Sequence, residues 1–263
     1  MIKKGTKGGS KSPFVFIGDR MKKKILNAIW ILVMIIAIGI LIYSGIMLYG
    51  FYKDYKEVDD TNNEIISLYT ENGSEESTED FKIDWESLLS VNREIVAWIR
   101  VPDTNINYPI VQSDNNNKYL RHNIYGNYSY GGCIFVDSAI DNPFGNMNTI
   151  VYGHNLNNGS MFSDLKKYSN EDYATKHRDV YIYLPNGNIR TYKVFAFSKI
   201  NANNYDVYDI DVEDLDDYYE TIGKYNQISI EDNIDTSNPV LTLSTCTNRN
   251  KQERYIVQAY LEF

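Results

Sequence analysis

Residues 25–52, "ILNAIWILVMIIAIGILIYSGIMLYGFY", contain no charged residue and no proline. As a helix rising about 1.5 Å per residue, this run is longer than the roughly 30 Å hydrocarbon layer of a bilayer. It is too long for the apolar core of a cleavable signal peptide, so the pattern predicts an uncleaved signal-anchor. "MKKK" at Met21–Lys24 precedes it, and residues 1–24 carry eight Lys/Arg and a single Asp. The basic flank predicts a cytoplasmic tail over residues 1–24, with everything after Tyr52 outside the membrane. The tail's excess of seven positive charges within a net charge of −9 leaves −16 on the remainder, which is strongly acidic. No basic, aromatic-laced patch is left to meet a nucleic acid.

Residues 53–80 include "EVDDTNNEIISLYTENGSEESTED", acidic and poor in aromatics. That composition predicts a solvated extracellular stalk. Residues 81–263 suffice for one core-bearing domain. "DWESLLSVNREIVAWIRV" spaces Trp85, Leu88 and Leu89 at i, i+3, i+4, and Ile95 and Trp98 three apart. The spacing predicts one or two short helices before a first strand at Ile99–Val101. Short β-prone runs follow: "NYPIVQ", "GCIFVD", "NTIVYG", "VYIYLP", "RTYKVFAFSKI", "NPVLTLST" and "RYIVQAYLEF". Asn186-Gly187 in "LPNGNIR" marks a hairpin between two of them. "MFSDLKKY", "NEDYATKH" and "VEDLDDYYETIGKY" read as helical interludes. Seven or eight short strands with few helices predict a mainly β chain, closed as an antiparallel or mixed barrel with helices around it.

The chain has two cysteines and three histidines. A disulfide is conceivable in an exported protein, but the surroundings of the two cysteines differ. Cys133, inside "GGCIFVD", reads as a small buried residue. Cys246 stands where the apolar "VLTLST" gives way to the polar "TNRNKQE", a rigid mount with a solvent-facing tip. A thiol with its ordinary pKa near 8.5, paired with an imidazole near 6.5, is only about 1% thiolate–imidazolium. A nearby cation raises that share. His154 follows another strand-like run in a polar loop and suits a general acid/base. His122 and His177 read as surface or capping residues. Arg254, on the last strand, can hold a planar guanidinium more steadily than Arg249 in the loop. The acidic run Asp209–Asp217 lacks the glycine and spacing of a calcium loop and reads as a solvated helix start. No zinc-ligand spacing or phosphate-cradling loop is present, so neither a metal nor another cofactor is expected.

"TLSTC" at Thr242–Cys246, "YGHN" at Tyr152–Asn155 and Arg254 together resemble the catalytic elements of the sortases, cysteine transpeptidases of the Gram-positive cell surface. The resemblance covers essentially all of residues 81–263, and the signal-anchor fits it. It implies a closed eight-stranded β-barrel with Cys246, His154 and Arg254 as nucleophile, acid and anion-binding group. "INYPIVQ", "NNKYL", "HNLNNGSMF", the helical start and the helix inserted ahead of the cysteine are similar to class B members. That likeness implies a peptide groove lined by Asn116, Leu120, Tyr205 and Ser244, although Asp206 after Tyr205 departs from a more apolar residue. The implied partners are secreted proteins with a C-terminal sorting signal, cleaved after Thr, and a cell-wall amine that accepts the acyl group. A Cys–His peptidase confined to hydrolysis and a non-enzymatic surface-binding module are the competing readings of the same residues.

Overall fold

A computed structural model of the chain describes residues 13–71, 81–231, 234–246 and 252–263. By contacts the chain divides into two units, Met1–Lys53 and Asp54–Phe263. In the first, the helix α1 (Pro13–Tyr69) carries the apolar run, and Ile25 to Tyr52 are exposed throughout. By length and composition this helix can cross a bilayer.

In the second unit, β1 (Thr70–Glu71) pairs with β2 (Lys82–Ile83), and α2 (Trp85–Val91) follows, N-capped by the Asp84 carboxylate on Ser87 N. The barrel strands are β3 (Ile95–Arg100), β4 (Asn107–Val111), β5 (Ile134–Val136), β6 (Asn148–Tyr152), β7 (Asp179–Tyr183) and β8 (Ile189–Asn201), then β10 (Val240–Cys246) and β11 (Glu253–Leu261). Between them lie α3 (Glu171–Lys176), α4 (Leu215–Gly223) and the short β9 (Ile228–Ser229), which hangs on β8. The spatial order is β11-β10-β6-β5-β4-β3-β7-β8, and β11 pairs back onto β8. Eight strands therefore close on themselves and leave no open edge. The sheet is mixed, because β6–β10 and β4–β5 run parallel.

Alternation along the strands sorts the side chains. Ala97, Ile99, Ile134, Val136, Leu241, Leu243, Val257 and Ala259 face one interior cluster. The outward Trp98, Cys133 and Phe135 are covered by Leu88 of α2 and by Phe81, Ile65 and Tyr69. Phe195, Val240 and Ile256 lie under Tyr218, Tyr219 and Ile222 of α4. Asp214 caps the start of α4 through its carboxylate on Asp217 N, so the acidic run serves as a helix start.

Three expectations are corrected. Ile95 and Trp98 belong to a strand, not a helix; both outer and inner faces of β3 are buried, which removes the polar alternation that marks a strand in sequence. "MFSDLKKY" forms a 3-10 turn over Ser163–Ser169. The acidic segment after Tyr52 is not wholly a solvated stalk. Asp54–Tyr69 is helical and belongs to the folded unit, with Val58 and Ile65 each 3% exposed and Tyr69 also buried. The hairpin signal is met: Gly187 at φ 86° closes the β7–β8 turn, with Gly187 N bonded to Leu184 O at 2.9 Å.

Burying one such side chain contributes about 1.5–3 kcal/mol before ordering costs. A chain beginning at Phe81 should therefore melt about 10 °C below one beginning at Asp54, as about 1 kcal/mol shifts a domain of this size by 2–4 °C. Coincident thermal transitions by circular dichroism would show that Asp54–Tyr69 adds nothing to the fold.

Candidate active site

The site is built from the ends of three adjacent strands. β10 lies between β6, its parallel neighbour, and β11, its antiparallel neighbour. One rung reads Tyr152–Ser244–Ile256 across the three. Two positions further in the same direction lead along β6 to His154, along β10 to Cys246 and along β11 to Arg254. Cys246 and Arg254 are direct register partners. The ladder continues past the end of β6, since Gly153 N donates to Ser244 O at 3.1 Å. Adjacent strands sit about 4.8 Å apart, so three backbone positions distant in sequence share a strip roughly 10 Å wide.

Gly153 is required at the turn out of β6. A Cβ there would meet Ile134 Cδ1 at 2.5 Å and the Phe162 ring at 2.7 Å. This close approach brings the backbone of His154 down onto the barrel wall. The His154 ring is fixed from the far side of the cleft, where Nε2 lies 2.9 Å from Leu120 O. A carbonyl only accepts, so Nε2 carries the proton and Nδ1 is the position left to exchange one. Burial pulls the His154 pKa below its ordinary value, the Leu120 carbonyl opposes that pull, and the Arg121 charge adds to it.

Arg254 lies close enough to Tyr152 for its charge to favour the phenolate, while burial and the Asp137 carboxylate push the Tyr152 pKa up more strongly. Its Nη1 donates to Glu253 O at 3.1 Å. Arg249, the loop alternative, lies outside the described residues. Of the other histidines, His122 contacts Lys118 O through Nδ1, and His177 caps α3 and stacks on Tyr173 at 4.0 Å. Cys133 is a free, buried thiol whose pKa burial drives well above the ordinary range, as expected of a core residue.

The four expected groove residues separate. Leu120 is 36% exposed and touches His154 through its carbonyl. Asn116 is half-buried; its Nδ2 donates to Asp137 Oδ2 at 3.1 Å and its Oδ1 accepts from Ser138 N at 2.8 Å. Tyr205 is 78% exposed at the start of the 3-10 turn Asp206–Tyr208. Asp206 of that turn accepts from Tyr225 OH at 2.5 Å, a polar partner that accounts for an acid at this place. Ser244 is only 1% exposed, and its Oγ is engaged with Tyr208 OH at 2.9 Å. It supports the wall behind the strand end and does not line a surface.

Sequence reasoning overlooked Asp137, Tyr152 and Tyr208. Asp137 receives both Tyr152 OH, at 2.9 Å, and Asn116, while Tyr152 stacks on Tyr208 at 6.1 Å. This chain of contacts runs from the Asn116 loop to Ser244, one rung behind the three singled-out residues. The signal was an acid at a strand end: Asp137 closes "GCIFVD" on β5, the neighbour of β6.

With this geometry in view, comparison with known proteins is direct. A model of the sortase domain matches residues 99–262, and the chain belongs to the sortase family. It is similar to sortase B of Listeria monocytogenes, at 28% identity over 86% of this chain and 94% of that protein. Sortase B of Staphylococcus aureus is 27% identical over 82% of this chain and 88% of its own length. Among solved structures, sortase B from B. anthracis in complex with AAEK1 covers 80% of this chain and 98% of its own, with TM-score 0.67 and 31% identity. The Staphylococcus aureus sortase B–substrate complex covers 68% and 84%, with TM-score 0.61 and 27% identity. The barrel and the enzyme class are those of a sortase-type cysteine transpeptidase, most like sortase B.

The direction of the His154 shift can be measured. In Cys246→Ala, where no thiolate can stabilise the imidazolium, His154 should titrate by NMR below the roughly 6.5 of an unperturbed histidine. The sign follows from burial. The unfolded chain then binds the proton at higher pH than the fold does, so any His154 contribution to stability is complete above about 6.5 and declines as pH falls through it. A midpoint at or above about 6.5 in that variant would mean that burial does not govern this ring.

Proposed function

We infer that this chain, as a member of the sortase family, acts at the cell envelope on sorting-signal substrates and cell-wall precursors. We propose that it does so as a single-pass membrane protein. In this reading residues 1–24 lie in the cytoplasm, residues 25–52 span the bilayer and the barrel is outside. The asymmetry of the flanking charges supports the orientation.

Cys246 acts as a thiolate on the carbonyl of a Thr residue in the C-terminal signal of a secreted protein, at the peptide bond that follows that Thr. The carbon–sulfur bond forms as the carbon–nitrogen bond breaks, and imidazolium His154 gives its proton to the leaving amine. Arg254 binds the peptide carbonyl or the oxyanion that develops on it. An amine from a cell-wall precursor then attacks the thioester, giving a proton to neutral His154 as the thiolate departs. Water in place of the amine yields hydrolysis. Asn116, Leu120 and Tyr205 contact the sorting peptide, and Ser244 stands behind Cys246. The observation that carries this reading is that Cys246 pairs with Arg254 at the end of β10, while parallel β6, paired with β10 up to Tyr152–Ser244, ends two residues before His154.

Kinetics of the full-length enzyme on a sorting peptide, with and without an added amine, test it. Cys246→Ala and His154→Ala should abolish cleavage, and Cys133→Ala should keep most of it. Arg254→Lys retains the charge but loses the planar fork, so kcat/KM should fall by about 10²-fold. Full turnover by a folded Cys246→Ala would overturn the mechanism. Products that never incorporate the amine would reduce the enzyme to a peptidase.

A further inference from the structure

His154 opens a loop that is closed on itself. Phe162 N donates to His154 O at 2.8 Å, and Asn155 and Met161 form a bridge. The loop is bent by Gly159 at φ 91° and by Met161 at φ 58°, a left-handed conformation unusual for a residue with a side chain. Such a conformation persists only where its surroundings over-determine it. Tyr108 supplies one restraint, its hydroxyl accepting from Met161 N at 2.9 Å.

The other restraints come from one face of α1. Tyr55, Val58, Asp59 and Asn62 are spaced i, i+3, i+4, i+7 and so share one side of the helix. Asp59 Oδ1 accepts from Asn158 Nδ2 at 2.9 Å. Asn157 Nδ2 reaches Tyr55 OH at 3.4 Å, and Asn62 Nδ2 reaches Met161 Sδ at 3.7 Å. Val58 is buried in the cluster that holds Leu156 and Met161.

The same face also supports the second wall of the site. Tyr55 packs edge-on against Tyr130 at 5.5 Å. A Cβ on Gly131 would meet Val58 at 2.9 Å and Leu156 at 3.1 Å, so helix, His154 loop and the 130–132 turn converge there. The next residue, Gly132, lies so close to Tyr119 O and Leu120 that a Cβ would stand 2.1 Å from the former. Leu120 is the residue whose carbonyl holds the His154 ring. Two turns of helix thus brace both the loop that carries the histidine and the segment that orients it.

We propose that Tyr55, Val58, Asp59 and Asn62 are positioning residues for His154, and that this stretch of α1 is a working part of the active site. The inference rests on the reading of His154 as the catalytic acid. It differs from a purely structural role in what it moves: a displaced imidazole lowers turnover, whereas general loss of packing lowers the melting temperature alone.

The full-length enzyme in detergent, assayed on a sorting peptide with an amine acceptor, supplies the test. Val58→Ala and Asp59→Ala should each lower kcat by about tenfold, the scale of a sub-ångström misplacement, with KM within about twofold. Asp59→Asn keeps an acceptor oxygen for Asn158 and should restore kcat to within about twofold of the parent. Leu88→Ala, which empties a fully buried site on α2, should cost as much melting temperature as Val58→Ala yet leave kcat near the parent value. Parent-like kcat in both Val58→Ala and Asp59→Ala would overturn the proposal, as would a loss of kcat in Leu88→Ala proportional to its loss of stability. Should Val58→Ala fail to fold, the half-exposed Asp59 pair decides alone. His154→Ala, run beside them, separates the two failures: if it stays active, the catalytic reading of His154 is wrong, and if it is dead while the brace variants are unaffected, only the brace is.

Discussion

Everything at the site depends on the parallel pairing of β6 with β10. Two strands that run in the same direction end at the same rim, so residues almost a hundred positions apart emerge together. The price in connectivity is a long crossover, and this chain fills it with α3, the β7–β8 hairpin and α4. Parallel strands are stable mainly when both faces are covered. Here the barrel interior covers one face, and α4 with Tyr208 covers the other. β11 completes the arrangement by binding β10 on one side and β8 on the other. Closure fixes the register of β10 from both edges, and a one-residue slip would turn Leu241 and Leu243 out of the core. The same restraint that buries those leucines sets Cys246 opposite Arg254.

Much of this was legible because the strands carry their own punctuation. Asn186-Gly187 marked a hairpin, and the change from "VLTLST" to "TNRNKQE" marked a strand end. "YGHN" marked a second one, with the glycine that the Ile134 and Phe162 contacts demand. The errors share a physical cause. Ile95 and Trp98 looked helical because β3 is buried on both faces and shows no period of two. The segment after Tyr52 looked solvated because its composition is acidic and, among its described residues, only Val58, Ile65 and Tyr69 are buried, seven and four residues apart. Composition averages those three positions away, whereas packing uses them singly. Ser244, which the likeness to class B members implied as a groove residue, is 1% exposed and has its hydroxyl on Tyr208. Asp137 went unnoticed because nothing local distinguishes a carboxylate that receives a buried tyrosine from one that faces water.

The proposed chemistry sets a requirement that the fold meets only in part. A thiolate–imidazolium pair is a minor population at ordinary pKa values, and burial of His154 makes the imidazolium scarcer still. Each unit of downward shift costs about 1.4 kcal/mol of the charged form. The Leu120 carbonyl returns some of that by accepting from Nε2, which favours the protonated ring and also leaves Nδ1 as the proton-exchanging atom. Arg254 is the register partner of Cys246, and in the proposed mechanism it supplies a positive charge to the thiolate. A cation there favours thiolate over thiol but disfavours a second cation on His154, so the two effects oppose each other across the pair.

In the proposed mechanism the reactive population is small, so turnover rests on how often that population is correctly aligned. An imidazole that is rarely charged must be in place whenever it is, which shifts the burden from pKa to positional order. This accounts for the density of restraint around His154: a glycine that admits the close approach, a left-handed Met161 held by Tyr108, a carbonyl on the ring and a helix face behind both loops. None of these raises the histidine's basicity appreciably except the Leu120 contact. Together they narrow the positions the ring can occupy, and in a site where burial works against the charged form, that narrowing is what the surrounding fold can supply.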